Sequence, residues 1–272
     1  MQATERLWHA SRRLGVDAVV SWLYWQAKLA AGRWRHHTSV GDATATFRTT
    51  TKTEYLRAAT LLGEREVVEA FVAGLDGTET VWDVGACVGT YACLAADRLA
   101  NGHVVAFEPE PTNRARLVAN LDANAPETRW TVEAAALTDR DGTVTLRRGP
   151  VEPGSGHHYL APSEPTRTGA TDRTSVSVPG RRGDTLVGSG TPPPDVLKLD
   201  VQGAELDVLR GLGNVLDGVE RIYAELHVEK SARYETSADA VESFLEDSGF
   251  ALTRFGPPDY NRAGVYHVVA RR

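Results

Sequence analysis

The sequence predicts an α/β fold, a mostly parallel β-sheet carrying helices on both faces. Three observations predict it. From Glu79 onward, short apolar runs alternate with segments of helical pattern. The first apolar run, "TVWDVGACVG", breaks into spaced glycines before a helical segment begins. The first two runs also bring an acid to the strand tip, Asp83 and Glu108, an arrangement that suits a ribose-bearing ligand.

Taken in order, residues 1–50 read as a basic, aromatic-rich N-terminal arm and residues 51–272 as the main domain. Six Arg or Lys stand against two acids in residues 1–37, among Trp8, Trp22, Tyr24, Trp25 and Trp34. "DAVVSWLYWQAKLAAG" is too short and too polar to span a bilayer. It reads first as an amphipathic helix packed on the main domain, and second as a helix lying on a membrane surface. The preceding "SRRLG" resembles a twin-arginine export signal, but Asp17, Gln26 and Lys28 interrupt the apolar stretch such a signal needs. "ATATFRTTT" reads as a short strand and "TEYLRAATLLGEREVVEAFVAGL" as a helix interrupted near Gly63.

Next come strand "TVWDVG", helix "TYACLAADRLA", strand "HVVAFEP", helix "PTNRARLVANLDANA" and strand "RWTVEAAAL". A turn at "DRDG" precedes a further strand. Residues 150–174, rich in Gly, Pro, Ser and Thr, read as a long functional loop, because the alternation resumes beyond them. "DVLKLDV" is a buried-type strand, "AELDVLRGL" a helix, "ERIYAELHV" a strand, "SADAVESFLEDSG" a helix stopped by Gly249, and "GVYHVVARR" the last strand.

The chain of 272 residues is 42% hydrophobic and 24% charged, ordinary values for a globular protein. Its formal net charge of −6 argues against nucleic acid as a partner, since phosphate binding leaves a basic footprint. Two cysteines, Cys87 and Cys93, fit a reducing compartment better than a disulfide framework.

The stretch Asp83 to Gly89 carries the chemistry. Glycines there let backbone approach a ligand, and the following helix offers free N–H groups. A dinucleotide fingerprint would read G-x-G-x-x-G. Here Asp83 stands where that pattern begins, and the central glycine is missing. A carboxylate is a poor neighbour for pyrophosphate and a good one for a cation, so the expected ligand is cationic near this turn. S-adenosylmethionine, with its ammonium and sulfonium, meets that demand, and Glu108 is placed to hold a ribose hydroxyl pair.

"DVGACVGTY", "VVAFEPEPTNRARLVANL", "AALTDRDGTVTL" and "PDVLKLDVQGAELDVLRGL" resemble, in order and spacing, the FkbM family of S-adenosylmethionine-dependent methyltransferases, over roughly residues 64–250. The resemblance implies a Rossmann-like class I methyltransferase fold, a seven-stranded mostly parallel sheet with a reversed last hairpin, preceded here by the N-terminal helical arm. Cys87 stands where the family usually has Asn, and Gln202 where "DVEG" is usual. Carried over by position, Asp83, Gly85, Ala86, Cys87 and Gly89 would form the methionine-side loop. Glu108 with Pro109 would hold the ribose, and Ala136 would border the adenine. Asp200 would end the fourth strand over the crevice, as both cofactor neighbour and catalytic acid.

Glu225 and His227 fall on one side of the fifth strand, two residues apart. His227 reads either as a satisfied strand histidine or as a general base or substrate orienter beside Asp200. "GSGHHY" reads as a solvent-facing loop or, second, as a substrate-contacting one. Two adjacent histidines lack the further ligands of a defined metal site, and no metal is expected.

The expected reaction is O-methylation of a hydroxyl on a glycan, glycolipid or small-molecule metabolite, in the cytoplasm or against the inner membrane face. Two rival readings stay open: a non-catalytic cofactor-binding domain tethered by the arm, and an NAD-dependent oxidoreductase, disfavoured by the missing glycine. A base-amine methyltransferase would be expected to carry an Asn/Asp-Pro-Pro-aromatic turn after the fourth strand, where this chain reads "VQGAE".

Overall fold

A computed structural model of the protein describes residues 17–32, 34–162, 174–255 and 264–272. The readings made on residues 1–16, including Trp8 and "SRRLG", lie outside the described residues, as does the polar segment beyond residue 162. Helix α1 (Asp17–Ala31) leads into a hairpin of β1 (Arg35–Val40) and β2 (Ala43–Arg48). Val40, Ala43, Ala45 and Phe47 point inward and join the core built around Val68 and Phe71. Residues 35–48, grouped with the arm on sequence, therefore pack into the core of the main domain. Helix α1 lies beside α2 (Lys52–Thr60): the Trp25 ring is 5.7 Å from the Tyr55 ring, and Lys28 Nζ sits 4.5 Å over the Tyr55 ring. Its other face leaves Val19, Trp22 and Leu23 exposed.

Helix α2 opens on a capping box between Thr51 and Glu54, which satisfies donors at its first turn. It ends where Leu61, Leu62 and Gly63 all take positive φ, the interruption expected near Gly63, and α3 (Arg65–Ala73) restarts beyond it. The chain then runs β3 (Thr80–Val84), α4 (Thr90–Arg98), β4 (His103–Phe107), α5 (Pro111–Asn124) and β5 (Trp130–Glu133). Four short strands follow: β6 (Ala136–Leu137), β7 (Gly142–Arg147), β8 (Tyr159–Leu160) and β9 (Ser175–Arg181). The last third is α6 (Gly183–Gly188), β10 (Val196–Leu199), α7 (Glu205–Leu212), β11 (Arg221–His227), α8 (Val228–Ser231), α9 (Ala238–Asp247), β12 (Ala251–Phe255) and β13 (Val265–Arg271).

The central sheet has seven strands in the order β12-β13-β11-β10-β3-β4-β5. The five from β11 to β5 are parallel, and β13 inserts antiparallel between β11 and β12, giving the reversed hairpin. Alternation along each strand sends side chains to two separate cores. Val81, Val104 and Ala106 meet Leu94, Leu99 and Leu117 on one face. Trp82, Val105 and Phe107 meet Leu209, Leu212 and Leu245 on the other. From β3 the chain crosses towards β4, and from β10 towards β11, so strand order reverses between β3 and β10. Open parallel sheets bind ligands at the carboxyl ends of such a pair.

The sequence expectation lacks β1, β9, α6 and β12, and one expected strand is divided. "RWTVEAAAL" is not a single strand: β5 stops at Glu133, and β6 joins β7, β8 and β9 in a separate four-stranded sheet. That sheet carries Leu146 and Leu160 over the carboxyl end of the main one, where they line its cavity.

Candidate active site

The loop from β3 to α4 is tied to both neighbouring strands. The N–H groups of Gly85 and Ala86 donate to the Phe107 carbonyl at 3.1 and 3.0 Å. Gly85 has φ +81°, and a Cβ there would lie 1.9 Å from the Asp200 carbonyl oxygen, so no side chain fits. Cys87 also takes positive φ, and its N–H donates to Glu108 Oε2 at 2.8 Å. The other oxygen of Glu108 accepts the Glu110 N–H at 2.8 Å. Burial lifts the Glu108 pKa to about 8, and these two hydrogen bonds only partly offset it. Burial likewise pushes the Cys87 thiol up to about 11, so it stays protonated near neutrality.

Above this loop opens a cavity of about 630 Å³, counting the space open to solvent. Gly85, Cys87, Glu108 and Pro109 line it together with Asp200 and Gln202, and Gly85 lies directly against the Asp200 backbone. Phe107, Ala136, Leu137 and Leu146 give the same cavity an apolar lining, suited to a flat base. S-adenosylmethionine fits this donor set: a carboxylate already held by two backbone N–H groups for hydroxyls, an apolar lining for adenine, and a glycine where backbone must lie close.

Six of the residues expected at the cofactor, Gly85, Cys87, Glu108, Pro109, Ala136 and Asp200, therefore line one cavity. Ala86 lines a smaller adjoining one. Two do not line either. Gly89, at φ +91°, caps the start of α4 against Leu117. Asp83 was expected to face the ligand's cation, and the structure corrects this. Strand alternation puts Asp83 on the Val81 face, 1% exposed, where Oδ2 accepts the Ala92 N–H at 3.0 Å and Oδ1 lies 3.8 Å from Lys198 Nζ. It anchors α4 from beneath.

Lys198 stands between Asp83 and Asp200, 3.8 Å from each carboxylate. Burial opposes its charge, but the two acids outweigh that and raise its pKa. Asp200 Oδ1 accepts from Gln202 Nε2 at 2.7 Å, and Gln202 in turn accepts from Lys230 Nζ. Past Asp200 lies a second, larger cavity of about 1240 Å³, lined by charged and polar groups that include Arg57, Glu64, Glu152, Gln202, Glu225 and Lys230.

Asp200, Glu225 and His227 come together as expected, with one ligand-type atom of each within 4.8 Å of the others. Their roles divide. His227 is 1% exposed, with Nε2 3.0 Å from Glu225 Oε1 and Nδ1 3.6 Å from Glu205 Oε1. Burial alone would lower its pKa, but the carboxylates of Glu205 and Glu225 outweigh it and lift it to about 9. A charged imidazole with both nitrogens turned to acids cannot take a proton from an acceptor. His227 thus supports Glu225, and the general-base reading is corrected. Glu225, despite burial, is held well below the usual carboxylate range by His227 and His267.

Sequence reasoning missed Arg57 and Asn113, while His158 belongs to the "GSGHHY" loop that it singled out. Arg57 comes from α2 and lines both large cavities. Asn113, in the first turn of α5, donates from Nδ2 to the Ser155 carbonyl at 2.8 Å and accepts the Gly154 N–H at 2.9 Å, clamping the "GSGHHY" loop. That loop folds over the site: His158 faces the cofactor cavity and His157 the larger one. Asn at the third position of a helix carries no signal of a loop 40 residues away.

Residues 83–252 match the methyltransferase FkbM domain family. The chain is 31% identical over 189 residues to the hexuronic acid methyltransferase AglP of Haloferax volcanii, covering 69% of this chain and 72% of that one. It is 27% identical over 209 residues to methyltransferase sdnD of Sordaria araneosa, covering 67% and 78%. Among solved structures, magnesium protoporphyrin IX methyltransferase of Synechocystis PCC 6803 with bound S-adenosylmethionine aligns with a TM-score of 0.48 at 13% identity, over 82% of this chain and 85% of that one.

Proposed function

The chain belongs to the FkbM methyltransferase family, and from that premise we propose that it methylates an oxygen of a sugar-bearing acceptor: a glycan, a glycolipid or a small-molecule glycoside. Its dependence on S-adenosylmethionine comes with the family. One observation carries the acceptor class. The larger cavity meets the cofactor cavity at Asp200 and is lined by charged and amide side chains, a surface for a ligand rich in hydroxyls. The similarity to the hexuronic acid methyltransferase of Haloferax volcanii supports the same class.

S-adenosylmethionine supplies an electrophilic methyl on a cationic sulfur. What the chain must add is alignment of the acceptor oxygen and a place for its proton, and alignment alone is worth up to ~7–11 kcal/mol in well-oriented systems. Asp200 lines both cavities, with Gln202 fixing one of its oxygens. It is the proton acceptor in this reading, and Arg57 and Lys230 orient polar groups of the acceptor. The protein works where its cofactor is made, in the cytosol. Incubation with methyl-labelled cofactor and separate glycan, glycolipid and small-molecule fractions tests this. Label entering only protein or nucleic acid would sink the sugar reading.

The arm supports a second element of the proposal, contact with an anionic membrane surface. Val19, Trp22 and Leu23 are exposed at helical spacing, in a segment whose first 37 residues are net basic. No helix among the described residues is long and apolar enough to cross a membrane. Flotation with phosphatidylglycerol vesicles should retain the wild type and release a Trp22→Ser, Leu23→Ser variant. Equal retention of both would remove the arm from the proposal.

A further inference from the structure

We propose that Glu64, Glu225 and His267 form a site for a divalent first-row cation, Zn²⁺ or Mn²⁺, at the wall of the larger cavity.

The sheet supplies two of the three groups by register. Glu225 on β11 and His267 on β13 are direct partners across an antiparallel pair, so their side chains project together on one face. Glu64 comes from the other side, at the N-terminal boundary of α3, just after the positive-φ break. One ligand-type atom of each residue lies within 4.8 Å of the other two.

The separations do not suit direct hydrogen bonding. His267 Nε2 lies 3.5 Å from Glu225 Oε2 and 4.0 Å from Glu64 Oε2, and it makes no hydrogen bond although the side chain is only 9% exposed. A buried imidazole nitrogen without a hydrogen-bond partner is costly unless something else meets it. Metal–ligand bonds of ~2.0–2.2 Å at tetrahedral angles put ligand atoms ~3.4 Å apart, close to the 3.5 Å edge and somewhat inside the 4.0 Å one. One imidazole with two carboxylates is a donor set for a borderline or hard divalent ion.

The surroundings complete the arrangement. His227 Nε2 holds the second oxygen of Glu225 at 3.0 Å, and Tyr91 Oη donates to Glu64 at 3.3 Å, as outer groups hold metal ligands elsewhere. The neighbouring set Asp200, Glu225 and His227 also converges, but its imidazole nitrogen is already taken by Glu225, so it serves as support. Glu64 and Glu225 line the larger cavity, which leaves the ion's remaining positions facing it. An oxygen of the acceptor could occupy one of them, a consequence that rests on the proposed function. The site itself does not.

The test uses the full chain, freed of metal with a chelator and titrated calorimetrically with Zn²⁺ and with Mn²⁺ in the absence of S-adenosylmethionine. Mn²⁺ binding is read in parallel by water-proton relaxation. The expected result is one equivalent bound, with at least a 10-fold weaker Kd in His267→Gln and in Glu64→Gln, and no change in His157→Gln. Glu64 stands at a helix boundary, so its variant decides the matter if circular dichroism shows that His267→Gln does not fold. Less than a tenth of an equivalent bound by wild type overturns the site, as does wild-type affinity in the folded variants. Cofactor affinity measured on the same samples separates failure of the metal site from failure of the methyltransferase reading.

Discussion

The carboxylate of Glu108 accepts the backbone N–H of Cys87 at 2.8 Å, which joins the tip of the second strand to the glycine turn of the first. Both residues line the same cavity, so the bond ties the acid and the turn together at its wall. Because the group is buried, its ionisation is sensitive to what binds beside it.

A Glu108→Gln variant keeps the size of the side chain and loses its charge. Calorimetry should find S-adenosylmethionine bound at least 10-fold more weakly, since hydrogen bonds to a charged acceptor contribute roughly 1.5–3 kcal/mol. In the wild type, affinity should rise with pH through about 8 as Glu108 ionises, and this rise should be absent from the variant.

The same shift sets a stability trend. A carboxyl raised from 4.5 to about 8 holds its proton longer in the folded state, so its contribution is fully present below 4.5 and lost as pH rises through 8. Thermal denaturation of Glu108→Gln against wild type should favour the variant increasingly from pH 5 to pH 9. A constant difference across that range would contradict the burial argument.

Gly85 and Gly188 make a matched pair of tests. Alanine at Gly85 would meet the Asp200 carbonyl at 1.9 Å with φ at +81°, and should lower stability by ~2 kcal/mol or more and abolish cofactor binding. Alanine at Gly188 meets nothing within 4 Å and should change stability by less than ~1 kcal/mol. Chemical denaturation of both variants measures the contrast.

Lys198→Met should destabilise the fold by ~3–5 kcal/mol, because it leaves Asp83 and Asp200 close together without their shared cation. The loss should shrink at pH 5, where the orphaned acids can take up protons, and grow at pH 8. Urea midpoints at the two pH values test the sign.

Asn113→Ala should release the loop at Gly154 and Ser155, removing one hydrogen bond from each. A cost of ~1–3 kcal/mol in stability is expected, with faster amide exchange confined to residues 152–158. Cofactor affinity should fall too, since Ser155, Gly156 and His158 line its cavity.

Patterns local in the chain were enough to read the main alternation of strands and helices from β3 to β5 and from β10 to α9, the break at Gly63 and the glycine turn, because period and turn chemistry act over a few residues. The ligand class follows from the family match and not from the acid in the glycine turn, since Asp83 faces Lys198 and the Ala92 N–H. Tertiary structure alone decided which way each acid faces. Asp83 and Glu108 look equivalent as strand-tip acids, yet strand alternation buries one under α4 and turns the other to the cavity. His227 read either as a satisfied strand histidine or as a general base, and Glu205, 22 positions earlier in the chain and against its other nitrogen, decides for the first. Arg57, Glu64 and Asn113 reach the two cavities from three separate parts of the chain, and only packing brings them there. A side chain's neighbours in space set its charge and its hydrogen bonds, and those neighbours lie far away in the chain.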